Sequence, residues 1–319
     1  MVTRTAPDVL VFGEILVELT ALEPLRDGAA LRLGFSGDAL NAAGAAAAAG
    51  AHTALLARVP DDELGDELVA RVAALGVDTS RLIRTRGQHG LYLQHADPAG
   101  QREFVYVRRG SAGSSLAAAD VPEELAAGAG VVLSSGVACA ISTTAFEAVR
   151  AAASAARCFV YDPNWRPRLA DADTAAGHLR ALAPYARVVT PAWPREAAAL
   201  LGTTMTGPVE ACAAFRALGA GAVALTQGDN GVLLDDGGEL TSVPAYPAEQ
   251  VVDQTGAGDV LAGTVAARLA LGDDLPDAIR LGAAAAALSL RGQGGTGYLP
   301  DLAESRRLVT GASTVEVSG

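Results

Sequence analysis

The sequence predicts an α/β protein, a doubly wound and mostly parallel sheet with helices on both faces, plus a small β-sheet of its own. Short continuous apolar runs recur along the chain, from 9–12 to 222–226, the pattern of strands buried on both faces. Ala-rich segments with helical spacing lie between them, which implies parallel strands joined by covering helices. Two stretches, 14–36 and 89–109, alternate with period two instead, so their strands are exposed on one face and form a separate sheet. The chain has 319 residues, 50 % hydrophobic and 19 % charged, enough for a large core. No linker, repeat or charge block divides it, and 1–319 reads as one domain.

Taken in order, Val9-Leu-Val-Phe12 is a buried strand closed by Gly13. Gly37, Asp38 and Asn41 lie in a turn that opens an Ala-rich helix over 42–49. Within 89–109 the alternating strands are 91–95 and 102–108, joined as a hairpin by Asp97-Pro-Ala-Gly100. Strands at 131–135, 158–161, 188–190 and 222–226 follow, with helices over 142–156 and 208–218 among them. Gly228-Asp-Asn-Gly231 turns the chain after the strand that ends at Thr226, and a helix and frayed tail follow Pro300.

Chemistry concentrates in Asp253-Gln-Thr-Gly-Ala-Gly-Asp259, a glycine-flanked turn set directly before an apolar helix at 260–269. Gly256, Ala257 and Gly258 are small enough for their amides to approach an anion, and the helix start adds partial positive charge. Asp259 is ill suited to hold a phosphate but well placed to take a proton beside one. The pairing points to phosphoryl transfer to a hydroxyl, with Asp259 as base and the 256–258 amides stabilising the transferred charge. The plainer alternative is a Gly-rich turn with Asp259 as helix cap.

Asp253–Asp259 resembles the C-terminal signature of the ribokinase-like (PfkB) carbohydrate kinases, and other parts of that family's pattern occur in order. They are Gly34-Phe-Ser-Gly-Asp-Ala-Leu-Asn41, Arg58-Val-Pro-Asp-Asp-Glu-Leu-Gly65, Asp162-Pro-Asn-Trp-Arg166, Gly228-Asp-Asn-Gly231 and Gly294-Gly-Thr-Gly297. By this resemblance alone, 58–65 is a turn. Within the family, Gly13-Glu-Ile-Leu-Val-Glu18, Gly90-Leu-Tyr92 and Tyr106-Val-Arg-Arg-Gly-Ser-Ala112 are most similar to 2-keto-3-deoxygluconate kinases. The resemblance implies that the small sheet is a lid over the sugar and that the enzyme is an ATP-dependent kinase of 2-keto-3-deoxygluconate or a close sugar acid. It implies sugar contacts from Gly37, Asp38, Asn41, Tyr92, Tyr106, Arg108 and Arg166, and nucleotide contacts from Asn164, Thr226, Gly228, Gly231, Gly256 and Gly258. A carboxylate substrate suits arginine, whose planar fork matches it better than lysine or a hydroxyl. Mg²⁺ is expected near Glu196, although Trp193 stands where the family carries an asparagine, and Ser36 stands where it carries a glycine. A monovalent cation and a homo-oligomer joined through the lid are carried as further expectations.

A fructokinase or another neutral-sugar kinase is the alternative within enzymes, because Tyr-x-Arg and Asp-x-Asn-x-Arg occur there too. A sugar-binding sensor with impaired catalysis is the alternative from another class, supported only by Trp193. No Gly-x-x-x-x-Gly-Lys-Ser/Thr and no early Gly-x-Gly-x-x-Gly occur, which argues against P-loop and nicotinamide-dinucleotide enzymes. The net charge of −12 argues against nucleic acid or an anionic membrane as partner, so local donors and a divalent cation must overcome the global field around ATP. Cys139, Cys158 and Cys212 are dispersed and read as buried free thiols of a cytoplasmic protein. The four histidines are scattered, without metal spacing.

Overall fold

The computed structural model describes residues 6–21, 23–96, 102–202, 205–238 and 240–316. Its strands are β1 (Val9–Phe12), β2 (Leu16–Ala21), β3 (Leu31–Ser36), β4 (Thr53–Pro60), β5 (Leu82–Thr85), β6 (Gly90–Ala96) and β7 (Arg102–Val107), then β8 (Val131–Ser135), β9 (Phe159–Asp162), β10 (Ala186–Val189), β11 (Val223–Thr226), β12 (Val232–Asp235) and β13 (Leu240–Val243). The helices are α1 (Asp38–Ala48), α2 (Glu63–Ala74), α3 (Glu123–Gly128), α4 (Gly136–Ala140), α5 (Thr143–Ala155) and α6 (Ala172–Leu182), then α7 (Arg195–Leu201), α8 (Pro208–Ala217), α9 (Ala257–Ala270), α10 (Leu275–Ser289) and α11 (Leu302–Glu316).

Nine strands form the large sheet in the order β13-β12-β11-β10-β9-β8-β1-β4-β5. Pairing is parallel from β11 through β5, and β12 and β13 add an antiparallel edge. Alternation along β1 sends Val9 and Val11 to one face and Leu10 and Phe12 to the other. The first face is covered by α1, α2, α9 and α10, the second by α3 to α8, so the central strands are buried on both faces and largely apolar. Each fully buried Leu or Phe there contributes about 1.5–3 kcal/mol. The expected strands stand, with ends displaced by one or two residues at β9, β10 and β11. The expected helices stand at α5 and α8.

Several features were not anticipated. Residues 58–60 belong to β4, so the turn expected over 58–65 shrinks to the entry of α2, where Asp62 caps the helix by accepting from the Gly65 amide at 2.8 Å. Helix α1 begins at Asp38, which places Asp38 and Asn41 inside its first turn; the N-cap position is Gly37, and no side chain caps the helix. Gly37 has a φ of 125°, and a Cβ there would lie 2.8 Å from the Glu14 carbonyl oxygen. Helix α9 likewise begins at Ala257, so Asp259 is its third residue and caps nothing. Gly263 of α9 lies directly on α1, since a Cβ there would sit 2.1 Å from the Ala42 carbonyl oxygen.

The second sheet has the order β3-β2-β6-β7 and comes from the two alternating stretches, as expected. The hairpin turn expected at Asp97–Gly100 lies outside the described residues. Cys139 and Cys212 are buried free thiols and Cys158 is a half-buried one. His178 is half-buried in α6 with its ring stacked on Phe146 at 4.4 Å. No helix among the described residues is long and apolar enough to cross a membrane.

Candidate active site

The chain turns from β1 to β4 on one side of the large sheet and later continues from β8 on the other. Ligands bind at such a switch point, beyond the carboxyl ends of the strands. A cleft of about 880 Å³ opens there, floored by Val137 of α4, the end of β9 and the start of α9, and roofed by the small sheet.

Asp259 lies in the floor, 8 % exposed. Its Oδ2 accepts from Asn41 Nδ2 at 2.8 Å and its Oδ1 from Asn164 Nδ2 at 2.9 Å. Burial, and next the nearby charge of Asp38, push its pKa up to about 7, while the two amides and Arg166 oppose the shift. The N-cap of α9, Gly256, has a φ of 85°, and Ala257 and Gly258 follow it along the cleft wall. The first-turn N–H groups of a helix have no intrahelical partner and point at whatever occupies the space before it.

Of the residues singled out in the sequence, Gly37, Asp38, Asn41, Tyr92, Tyr106, Arg108, Asn164, Arg166, Glu196, Thr226 and 256–259 all line this cleft. Gly228 and Gly231 do not. They form the tight turn between β11 and β12, where a Cβ on Gly231 would lie 2.1 Å from the Val243 carbonyl oxygen. Asn164, for which a nucleotide contact was expected, has a φ of 41°, and its amide donates to Asp259 and, at 3.4 Å, to Asp162.

Glu196 was expected near a metal. Both of its oxygens accept backbone amides, from Trp165 at 2.5 Å and Ala192 at 2.6 Å, so it clamps the loop after β9 to the loop after β10. Burial raises its pKa against those two donors. No group of three or more His, Cys, Asp or Glu among the described residues could hold a metal by itself. The arrangement fits Mg²⁺ carried in on phosphates and waters, with Glu196 in the cleft wall, but not a cage made of protein alone.

On the roof, Tyr92 and Tyr106 are directly paired across β6 and β7, and Phe104 joins them on the same face. The Tyr92 hydroxyl donates to buried Glu18 at 2.5 Å, and Tyr92 is only 5 % exposed, so it has no exposure left to lose. The Arg108 guanidinium lies over the Tyr106 ring at 4.6 Å and donates through Nη1 to Glu14, which is fully buried. Burial raises the Glu14 carboxyl to about 7 even against Arg108.

Glu14, Phe104, Asp162 and Thr190 were not assigned roles from sequence. A charged residue at the very end of a buried strand was the available signal for Glu14, and the period-two face of Tyr106 for Phe104. Asp162 and the buried Thr190 hydroxyl line the cleft at the carboxyl ends of β9 and β10. Burial, with Glu196 and Asp259 close by, raises the Asp162 pKa well above the ordinary carboxylate value.

Comparison with known proteins identifies the family. Residues 6–302 match the model of the pfkB family carbohydrate kinases. A 2-dehydro-3-deoxygluconokinase of Thermoproteus tenax is 33 % identical over 307 residues, 94 % of each chain. One of Bacillus subtilis is 28 % identical over 305 residues, 92 % of each chain. Among solved structures, a putative ribokinase II of E. coli in complex with ATP and Mg²⁺ superposes with a TM-score of 0.84 at 24 % identity, over 95 % of this chain and 98 % of that one.

Proposed function

We propose, on the premise that this chain belongs to the pfkB family of carbohydrate kinases, that it transfers the γ-phosphoryl group of ATP to a hydroxyl of 2-keto-3-deoxygluconate (2-dehydro-3-deoxygluconate) or a close sugar acid. The observation that carries this reading is the sharing of one cleft by a carboxylate at the start of α9 and by the guanidinium groups of Arg108 and Arg166. The arginines suit a substrate carboxylate, and Asp259 suits the hydroxyl proton.

In this mechanism the sugar lies between the roof tyrosines and α1, with Gly37 allowing close approach of Asp38 and Asn41. Asp259 takes the proton of the attacking hydroxyl as the new P–O bond forms and the bond to the ADP oxygen breaks. The 256–258 amides face the charge on the migrating group, and little else is required of the protein beyond positioning. Mg²⁺, held by Glu196 through water, would neutralise phosphate charge. The Mg²⁺–ATP complex of the E. coli neighbour supports this pair of cofactors. A monovalent-cation requirement is proposed from the resemblance alone, and activity in KCl against choline chloride tests it.

A homo-oligomer through the roof sheet is part of the same proposal. Its outer face aligns Leu33, Leu19, Leu93 and Val105 in register, and Leu33, Val105 and Val107 are 53 %, 47 % and 56 % exposed. A second copy presenting the same apolar face is the occupant that would bury them.

The function is tested by a coupled ADP-release assay across sugar acids and neutral sugars. Phosphorylation of a 2-keto-3-deoxy sugar acid is expected to dominate, and a large preference for fructose would overturn the substrate assignment. Asp259→Asn should lower kcat by about 10²–10⁴ with binding changed only a few-fold. Near-normal turnover would remove Asp259 as the base and favour a different proton acceptor.

A further inference from the structure

Ser36 ends β3 and is 1 % exposed, at the point where the roof sheet meets the core. Its hydroxyl donates to Asn41 Oδ1 at 3.1 Å, and the Nδ2 of the same amide donates to Asp259 Oδ2 at 2.8 Å. A carboxylate only accepts hydrogen bonds, so the nitrogen end of Asn41 must face Asp259 for the base to be held in its charged form. That orientation leaves Oδ1 buried, and a buried acceptor needs a donor. Ser36 supplies it. A hydrogen-bonded path thus runs from Ser36, at the end of a roof strand, through Asn41 to the catalytic carboxylate.

We propose that Ser36 is a positioning residue for the base: it holds the Asn41 amide with its nitrogen on Asp259, and it does so from the last residue of a roof strand. The inference rests on the reading of Asp259 as base. It accounts for a serine where the resembled motif carries glycine. A glycine has no hydroxyl and would leave Asn41 Oδ1 to find another donor. Without Ser36, the amide is free to tilt or turn, its hydrogen bond to the carboxylate weakens, and Asp259 holds its proton more tightly. The other charged groups facing Asp259 are Asp38 from α1, Asp162 at the end of β9 and Arg166 beyond it, and they are the same in wild type and variant.

The test compares Ser36→Ala, Ser36→Gly and Ser36→Thr with wild type and Asp259→Asn, in the full chain with ATP and the best sugar acid from the assay above. In Ser36→Ala and Ser36→Gly, kcat should fall about three- to tenfold, the effect of weakening one hydrogen bond to a charged group. The acid limb of the kcat/KM profile should move up by about 0.3–1 pH unit, because a carboxylate that loses a donor binds its proton more tightly. The sugar KM should rise by no more than the fall in kcat, because Asn41 also borders the sugar, so the moved acid limb is the diagnostic readout. Ser36→Thr, which keeps the hydroxyl, should restore both the rate and the profile. A raised KM with an unmoved pH profile would overturn the proposal, leaving Ser36 as a wall of the sugar pocket. An unchanged profile in a series where Asp259→Asn is inactive sinks this inference alone. An active Asp259→Asn sinks the base assignment and the inference with it.

Discussion

Arg108 is held from two sides, by the Tyr106 ring beneath its guanidinium and by Glu14 at its Nη1, so its remaining donors are oriented before any substrate arrives. Arg108→Ala should therefore cost about 2–4 kcal/mol in kcat/KM for a sugar acid, the range for truncating one member of a charge pair. A neutral sugar should lose far less. Equal losses for both would mean that Arg108 shapes the pocket without reading a carboxylate. The pH dependence follows from Asp259, whose pKa lies at about 7. A base must be unprotonated, so kcat/KM should fall about tenfold per pH unit as pH drops below about 7, and an acid limb near 4 would contradict this. Stability runs the other way. Folded Asp259 and Glu14 hold protons up to about 7, whereas their unfolded counterparts release them near 3.8 and 4.5. Their contribution is thus complete below the unfolded values and lost as pH rises through about 7. Thermal unfolding of the ligand-free protein should occur at a lower temperature at pH 8 than at pH 5.5, with a smaller difference in Asp259→Asn.

At the scale of elements, the roof sheet already covers the cleft and already buries Tyr92, so closure cannot be read from that side chain. The backbone amides of β6 and β7 remain informative. With sugar acid and a non-hydrolysable nucleotide, hydrogen exchange over 90–96 and 102–109 should slow, together with 253–262. Slowing confined to 253–262 would make the sheet a fixed wall and not a lid. The junction itself depends on Gly37, whose φ of 125° and closeness to the Glu14 carbonyl leave no room for a Cβ. Gly37→Ala should lower the melting temperature and sugar affinity together, and wild-type values for both would show that the strand-to-helix turn adapts. These elements were legible in proportion to how local their signals are. Apolar runs revealed β1, β8, β9 and β11, and period-two alternation revealed the roof strands. Strand β4 was obscured because its last residues carry the Arg58-Val-Pro pattern of a turn. The short β5 and β13 lie at the sheet edges and have no continuous apolar run, and the run of β12 is only three residues long, Val232–Leu234, directly after a glycine turn. In the site, the residues of Asp253–Asp259 and the arginines were legible from their chemistry. Their pairings were not. Asn41 and Asp259 are 218 residues apart, and Glu14 and Arg108 are 94 apart, so no local pattern records that they meet.

For the whole molecule, the exposed apolar face of the roof sheet should decide the state of assembly. Sedimentation of the wild-type chain should show a dimer or a larger even-numbered species, and Leu33→Asp with Val107→Lys should shift it to monomer while the ATP site stays intact. A monomeric wild type would leave that face without a second copy. The contact of Gly263 with the Ala42 carbonyl has a bearing on the molecule as a machine. With no side chain between them, α1 and α9 behave as one block, and Asn41 and Asp259 travel on that block together. Arg108 travels with the roof. A roof that opens as a lid would carry Arg108 away and leave Asn41 and Asp259 together on that block, with Ser36, at the junction beside Gly37, keeping its bond to Asn41, like a lock whose bolt stays set when the key is withdrawn. A kinase working this way would have little to reassemble at the centre of reaction between turnovers, its idle state differing from its working state chiefly in whether an acceptor hydroxyl has been delivered.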